Sequence, residues 1–158
     1  MRITDKYVFF WDGVFSNWHK CNFMIKDINY NCVEQWMMAQ KAALFNDDYI
    51  YEKIMFSTNP SEQKKLGRQV KNFNEKIWSQ QATRIVTNGV YAKFDQNPKI
   101  KEDLIRLGKN RNFVEASPYD LIWGIGLSSD DDRCLDPKNW RGKNLLGLVL
   151  DDVYKLMI

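Results

Sequence analysis

The chain has 158 residues, of which 44% are hydrophobic and 14% aromatic, so it can bury the core of one domain and is not expected to be disordered. Its net charge of +3 is too small a surplus to indicate a nucleic-acid-binding protein by itself. The single histidine, His19, and the three cysteines, Cys21, Cys32 and Cys134, exclude most catalytic triads and zinc sites. Any chemistry is therefore expected to depend on Asp, Glu, Lys and Trp side chains.

Neither the start of the chain nor any internal stretch indicates secretion or membrane insertion. The first residues lack the apolar core of a signal peptide, and no apolar run approaches the roughly 20 residues of a membrane span. The odd number of cysteines, none of them in a close pair, indicates reduced thiols. We therefore expect a cytoplasmic protein that makes no membrane contact.

Residue patterns along the chain predict a mainly α-helical α+β fold. Stretches rich in β-branched and aromatic residues predict strands, and apolar residues that recur at helical spacing predict helices. In chain order, the predicted elements are a strand at 7–11, a hairpin with strands at 22–25 and 28–30, helices at 32–45, at 48–56, from 59 onwards, at 75–94 and at 97–108, a strand at 112–116, a loop at 128–141 and a helix at 144–157. Asn31 is predicted to cap the start of the first helix, and Gly108 to cap the end of the fifth. We expect one compact domain over residues 1–158 with a small N-terminal sheet or hairpin.

The first predicted helix carries two charged residues on an otherwise apolar face. Glu34 and Lys41 are seven residues apart, which places them within about 20° of each other around the helix axis. A structural role explains both, because Glu34 can close a capping box at the helix start and Lys41 can extend its amine to solvent. The alternative is a cleft wall that bears an acid and an amine. Burial there shifts both groups toward their neutral forms, which suits proton transfer or attack by the amine.

A second carboxylate, that of Asp120, lies close in sequence to an aromatic residue. Ser117 and Pro118 are typical of a helix start, so a short capped helix with Asp120 in its first turn explains the pattern structurally. The alternative is that Asp120 and Trp123, three residues apart, face a ligand together. Trp18 and Trp123 lie in or beside turn-like segments, where an indole ring either packs in a core or offers a surface on which a planar ring stacks.

Five motifs occur in the order and spacing of a known family. They are Phe9-Phe10 with Ser16-Asn17-Trp18, Glu34 followed by Lys41, Trp78 and Arg84 followed by Lys93-Phe94, Val114-Glu115 followed by Asp120 and Trp123-Gly124, and Asn144 followed by Gly147. Together they resemble the NADAR family, the YbiA-like proteins, over about residues 8–150. Each motif is weak alone, but the Glu-x6-Lys and Glu-x4-Asp-x2-Trp-Gly spacings, held in order, make the resemblance specific.

The resemblance implies a compact, mainly helical domain that hydrolyses the N-glycosidic bond between a ribose and a nitrogen base. Family substrates are of two kinds, namely ribosylaminopyrimidine phosphates of the early riboflavin pathway and ADP-ribose attached to guanine bases of nucleic acid. The expected partner is therefore a small ribosyl phosphate or an ADP-ribosylated nucleic acid, and the chain is expected to be a monomer or a weak oligomer. The family uses no metal ion and no redox cofactor. A different interpretation is a non-catalytic module that binds ADP-ribose or nucleotides.

Carried over position by position, the resemblance implies a site without a metal ion. Its catalytic residues are Glu34, Lys41 and Asp120. Its substrate-binding residues are Ser16, Asn17, Trp18, Trp123, Glu115, Arg84 and Lys93. The last helix departs from the family, which often has an arginine there, whereas residues 150–154 of this chain contain none. Arg84, Lys93 or Lys143 is expected to contact phosphate in its place.

The chemistry of the bond suggests a role for each catalytic residue. Breaking an N-glycosidic bond builds positive charge on the ribose and negative charge on the leaving nitrogen, so a carboxylate and a proton donor are both needed. We expect Glu34 and Asp120 to supply proton transfer and electrostatic stabilisation. Lys41 is expected to attack the ribose C1 and form a Schiff base, and Trp123 to stack on the base.

Overall fold

The computed structural model describes residues 1–158 and contains six α-helices and two small β-sheets. The strands are β1 (Arg2–Ile3), β2 (Tyr7–Phe10), β3 (Phe23–Ile25), β4 (Ile28–Tyr30) and β5 (Asn112–Glu115). The helices are α1 (Val33–Leu44), α2 (Asp48–Phe56), α3 (Pro60–Gly67), α4 (Glu75–Asp95), α5 (Pro98–Gly108) and α6 (Leu145–Met157). The mainly helical α+β fold is thereby confirmed. None of the six helices combines the length and the apolar composition that a membrane crossing requires.

The chain folds into two compact units, one formed by residues 1–19 with 98–158 and the other by residues 20–97. The sheet of β1, β2 and β5 lies in the first unit with α5 and α6. The hairpin of β3 and β4 lies in the second unit with α1 to α4. The single domain expected over the whole chain stays a prediction.

In the first unit, β2 is the central strand of the three-stranded sheet. It pairs antiparallel with β1 and parallel with β5, and Phe10 at the end of β2 lies opposite Glu115 at the end of β5. Because β2 and β5 are parallel, their C-terminal ends meet at the same edge of the sheet. The segments that follow them, 11–18 and 116–124, therefore start side by side. These two segments hold most of the site residues predicted in this unit.

Helix α6 covers the open edge of β5 through side-chain hydrogen bonds. The Asn144 side chain accepts a hydrogen bond from the Glu115 backbone N–H at 2.9 Å and donates one to the Phe113 carbonyl at 3.1 Å. The Asp151 carboxylate accepts from the Phe113 N–H at 2.8 Å. A side chain at Gly147 would overlap the Phe113 carbonyl, so only glycine allows this close approach. The Asn-x-x-Gly motif therefore satisfies an edge strand that would otherwise expose its backbone groups.

In the second unit, α1 is the central helix and packs against α2, α3 and α4. Its apolar residues are buried on most sides, and the Trp36 indole N–H donates to the Ile85 carbonyl of α4 at 2.7 Å. The preceding hairpin turns at Lys26 and Asp27, whose φ values of 51° and 64° are those of a type I′ turn. These contacts hold α1, and the charged residues on it, in a fixed position.

The cap predicted at Asn31 is wrong by one residue. Cys32 is the N-cap of α1, and its sulfur accepts a hydrogen bond from the Gln35 N–H at 3.4 Å. The Gln35 side chain in turn accepts from the Asn31 backbone N–H at 2.8 Å. The Asn31 side chain instead donates to the Ser57 carbonyl at 3.0 Å. The Asn31 side-chain oxygen, which is the atom that capping would use, accepts a hydrogen bond from the Gln63 side chain at 3.0 Å.

The cap predicted at Gly108 is also wrong. Gly108 is the last residue of α5, and the left-handed position beyond the helix is occupied by Asn110, with φ of 63°. A Cβ atom at Gly108 would lie 2.7 Å from the ring of Tyr154 on α6. Glycine is therefore required at residue 108 for close packing between two helices.

Candidate active site

Lys41 lies among aromatic rings on the face of α1 that also carries Glu34. Its Nζ atom is 4.4 Å from the centre of the Phe73 ring and 5.9 Å from the centre of the Trp78 ring. Lys41 is half-buried, and Glu34 is only 4% exposed. The structure thus combines an acid, an amine and two aromatic rings in the second unit.

The surroundings of Lys41 act on its charge in opposing ways. Burial lowers the pKa of the Lys41 amine from its ordinary value, and the positive charge of Arg68 lowers it further. The negative charges of Glu75 and Glu34 raise the pKa of the amine, but their effect is smaller than that of burial. The net shift enlarges the fraction of neutral amine, which is the nucleophilic form.

The two substrate-binding cations predicted on α4 have very different environments. Lys93 is 1% exposed, and burial lowers the pKa of its amine to about 8, although nearby Cys21 and Cys32 raise it. Arg84 is exposed, and its guanidinium donates to the Gln81 side chain at 2.6 Å. Nine residues separate Lys93 from Arg84, which places them on opposite sides of a helix. The structure does not bring these two cations to one surface.

In the first unit, the segment after β2 places Ser16 and Asn17 in the interior. Each is 7% exposed, whereas Trp18 is 43% exposed. The Ser16 hydroxyl accepts a hydrogen bond from the Trp18 N–H at 3.1 Å, which fixes the turn. The side-chain oxygen of Asn17 is buried and accepts no hydrogen bond from the chain. A buried acceptor in this state is costly unless a donor from outside the chain reaches it.

Residues 117–124 form a series of bends. They do not form the short helix that was one of the two interpretations of the sequence. The Ser117 hydroxyl accepts from the Asp120 N–H at 3.1 Å. One carboxylate oxygen of Asp120 accepts from the Ile122 N–H at 2.9 Å and from the Trp123 N–H at 2.8 Å. Asp120 and Trp123 are both half-buried. The carboxylate therefore holds the loop that presents the indole ring.

Glu115 is held at the end of β5 by its backbone on both sides. Its N–H donates to Asn144, and its carbonyl accepts from the Ile125 N–H at 3.0 Å. The strand end and the loop that returns to it thus form one hydrogen-bonded structure. The half-buried Glu115 side chain and the Asp120 loop belong to the same part of the first unit.

The predicted site residues divide into two groups. Glu34, Lys41, Arg84 and Lys93 lie in the second unit, and Ser16, Asn17, Trp18, Glu115, Asp120 and Trp123 lie in the first. Phe73 and Glu75 both act on Lys41, but no sequence motif marks either of them as a site residue. More than 30 residues separate Phe73 from Lys41, so no local pattern links them.

Outside the predicted site residues, the structure has a cavity but no cluster of metal-binding side chains. No three His, Cys, Asp or Glu side chains come close enough together to share a metal ion. An open cavity of about 290 Å³ lies in the second unit against the hairpin and α1. Its wall includes Tyr30, Trp36, Gln40 and Tyr51, and none of the predicted site residues.

Comparison with known proteins identifies the family. The NADAR domain model matches residues 9–157. The chain belongs to the NADAR family. This NADAR protein is 43% identical over 160 residues to "N-glycosidase R617" of Acanthamoeba polyphaga mimivirus, covering 93% of this chain and 94% of the viral protein.

Two further NADAR comparisons are more distant. The "Riboflavin biosynthesis protein PYRR, chloroplastic" of Zea mays is 28% identical over 154 residues, covering 89% of this chain and 23% of the maize protein. The NMR structure of the E. coli protein YbiA matches with a TM-score of 0.78 at 22% identity, covering 98% of this chain and 86% of YbiA. The likeness to YbiA confirms the fold.

Proposed function

We propose that this NADAR protein is an N-glycosidase that hydrolyses the bond between a phosphoribosyl or ADP-ribosyl group and a nitrogen base. The observation that carries the proposal is the Lys41 amine, which is partly buried against two aromatic rings on the same helix face as Glu34. The relative named N-glycosidase, at 43% identity over nearly the full length of both chains, supports the same reaction class.

The proposed reaction uses Lys41 as a nucleophile. The lone pair of its neutral amine forms a bond to the ribose C1, and the bond from C1 to the base breaks. The electron pair of the broken bond goes to the leaving nitrogen, which takes a proton from a carboxylic acid. The substituted Lys41 nitrogen gives a proton to a carboxylate, and its lone pair forms a double bond to C1 as the bond from C1 to the ring oxygen breaks and that oxygen takes a proton. Water then hydrolyses this Schiff base, which releases the sugar and returns the free amine. We assign proton transfer and charge stabilisation to Glu34 and Asp120.

The first unit is proposed to supply substrate contacts. The buried Asn17 oxygen suits a hydroxyl or amine donor of the substrate, because it accepts no hydrogen bond from the chain. Trp18 and Trp123 offer ring surface to a planar base, since neither is fully buried. Ser16 and Glu115 are proposed to contact the ribose.

Phosphate binding is assigned to cations of the second unit. Arg84 and Lys93 lie on opposite sides of α4, so the proposal gives them separate contacts. Arg84 is exposed and suits a terminal phosphate that remains partly solvated. Lys93 is buried and suits a substrate group that is itself withdrawn from water.

The decisive assay measures released base. The protein is incubated with ADP-ribosylated guanine DNA and, separately, with ribosylaminopyrimidine phosphates, and free base is quantified by mass spectrometry. We expect turnover of one substrate class, and a loss of about a thousandfold in each of Glu34→Gln, Lys41→Ala and Asp120→Asn, with circular dichroism melts close to the wild type. Borohydride should trap a ribosyl adduct on Lys41.

The exposed lysine Lys76 supplies the control, because it lies on α4 beside Glu75 and carries none of the proposed chemistry. Lys76→Ala should turn over at the wild-type rate and leave the borohydride adduct on Lys41 unchanged. Full turnover by Lys41→Ala would disprove the nucleophilic role.

The second candidate is a non-catalytic module that binds ADP-ribose or nucleotides. It is favoured by the buried Asn17 acceptor and the exposed Trp18, which serve binding without needing an acid. Absence of hydrolysis by the wild type, together with ligand affinity that is unchanged in Glu34→Gln, Lys41→Ala and Asp120→Asn, would establish it. Isothermal titration with free ADP-ribose provides the affinity measurement.

A further inference from the structure

Phe73 is a large apolar side chain that contacts both Phe45 and the Lys41 amine. It is 41% exposed, yet its ring packs edge-on against Phe45 at 5.4 Å between centres, and its face lies 4.4 Å from the Lys41 Nζ atom. Phe45 is the C-cap residue of α1 and is 8% exposed. The ring of Phe73 therefore packs against the C-terminal end of α1, the helix that carries Lys41. It covers the Lys41 amine from one side.

The loop that carries Phe73 is anchored before and after it. The Lys71 backbone N–H donates to the buried carboxylate of Asp47 at 2.9 Å. Asn72 adopts the left-handed conformation, with φ of 57°, and Asn74 caps α4 by accepting from the Ile77 N–H at 3.1 Å. The ring position is thus set by the backbone on both sides, although the side chain itself is partly exposed.

Several charged groups face the same amine. Glu34 lies on α1, Glu75 begins α4, and Arg68 follows α3. The two carboxylates favour the ammonium form, and Arg68 and burial favour the neutral amine. An aromatic face attracts an ammonium group, so the electrostatic effect of the ring acts in the same direction as the carboxylates. Its exclusion of water adds to the burial that favours the neutral amine.

We propose that Phe73 is a positioning residue for Lys41, and that the face of the Phe73 ring holds the Lys41 side-chain nitrogen in place. Phe73 does not take part in bond formation. It fixes the direction of the amine and stabilises its protonated form between turnovers. The catalytic consequence rests on the proposed N-glycosidase function, but the effect of the ring on the Lys41 amine does not.

The first experiment titrates Lys41 without any substrate. The folded protein is treated with acetic anhydride at a series of pH values, and acetylation of the Lys41 peptide is measured by mass spectrometry. Phe73→Leu keeps an apolar cover but removes the ring face, so the midpoint for Lys41 should move down by about half a pH unit. Phe73→Tyr keeps an aromatic ring face, so the titration curve of Lys41 in this variant should match that of the wild type. Phe56→Leu is the matched control, because Phe56 is 91% exposed in the same unit.

The second experiment measures turnover of the substrate identified above. At a pH above both titration midpoints, where the amine is neutral in both proteins, Phe73→Leu should lower kcat about fivefold with KM unchanged because the amine is no longer held in one direction. The pH limb of kcat should shift in the same direction as the titration. Phe73→Met serves as a second aliphatic replacement and should behave as Phe73→Leu does. Phe73→Tyr should recover kcat.

The two proposals fail in different ways. A Lys41 titration curve that is the same in Phe73→Leu, Phe73→Met and wild type overturns the role of Phe73, whatever the activity. Absence of hydrolysis by the wild type overturns the proposed function, and the acetylation curves still decide whether the ring acts on the amine.

Discussion

Each unit contains a group of buried or half-buried polar side chains, and the two groups have contrasting environments. In the first unit, Asn144, Asp151 and Asp120 all hydrogen-bond to backbone groups of neighbouring segments. In the second unit, Lys41 and Lys93 lie against aromatic rings, and burial lowers the pKa of both amines. The first arrangement stabilises the fold, whereas the second reduces stability and brings the amines closer to their neutral, reactive form. Hydrogen bonds to the backbone and burial of an amine thus have opposite effects on the stability of the fold.

The largest expected effect on stability is that of Lys93→Met. The folded-state pKa of Lys93, about 8, is below its ordinary value of 10.5, so the unfolded chain binds more protons between these pH values. Stability should therefore rise with pH across this window, and the full penalty should apply below pH 8. Replacing the amine with an apolar side chain of similar length should raise the free energy of unfolding at pH 7 by about 3 kcal/mol.

Urea titrations at pH 7 and pH 10 measure this effect. Lys93→Met should be more stable at pH 7 and should lose the rise toward pH 10 that the wild type shows. Lys76→Met, at an exposed position on the same helix, should follow the wild type. If all three proteins have the same pH dependence, buried Lys93 is not a source of instability and the contrast between the units fails.

Asn144→Ala should have the next largest effect, with the opposite sign. It removes both hydrogen bonds to β5 and places alanine at a φ of 53°. We expect a loss of about 2 kcal/mol in the free energy of unfolding, because buried backbone groups are left unsatisfied. Asn144→Gly removes the same bonds but tolerates the left-handed backbone, so it should be about 1 kcal/mol more stable than Asn144→Ala.

Thermal and urea unfolding of both Asn144 variants provide the measurement. A loss in Asn144→Gly as large as that in Asn144→Ala would assign the whole effect to the missing hydrogen bonds. Wild-type stability in both would show that the attachment of α6 to β5 does not depend on this side chain.

The smallest expected effect separates two roles of Asp120. Asp120→Asn keeps the side-chain oxygen that accepts from the Ile122 and Trp123 N–H groups, whereas Asp120→Ala loses it. Asp120→Ala should therefore be less stable than Asp120→Asn by about 1 kcal/mol, in line with other side-chain to backbone caps. Differential scanning calorimetry of the two variants measures the difference. Equal melting temperatures would mean that the turn does not need this oxygen.

Local patterns were enough to predict nearly all of the secondary structure. The predicted helices and strands agree with the observed bounds to within one residue, because apolar spacing and turn residues are properties of short segments. The placement of Glu34 and Lys41 on one face also followed from their spacing, since seven residues complete about two helical turns. The short strand β1 was not predicted, because its two residues form a strand only by pairing with β2.

The errors arise where a distant contact takes over a local signal. Asn31 has a side chain that is typical of an N-cap, but this side chain hydrogen-bonds to Ser57 and Gln63. Cys32 caps α1 instead. Gly108 has the residue type of a helix C-cap, but it lies inside α5, where the absence of a side chain leaves room for the Tyr154 ring of α6.

The sequence by itself determined the helices and strands, the family resemblance, and the presence of an acid and an amine on one face of α1. Only the tertiary structure decided that Phe73 covers the Lys41 amine, that Lys93 is buried, and that Asn144 satisfies the edge of β5. Each of these joins residues that are far apart in the chain or depends on what packs around a side chain. Local spacing carries no information about such contacts, because burial and hydrogen-bond partners are set by the whole fold.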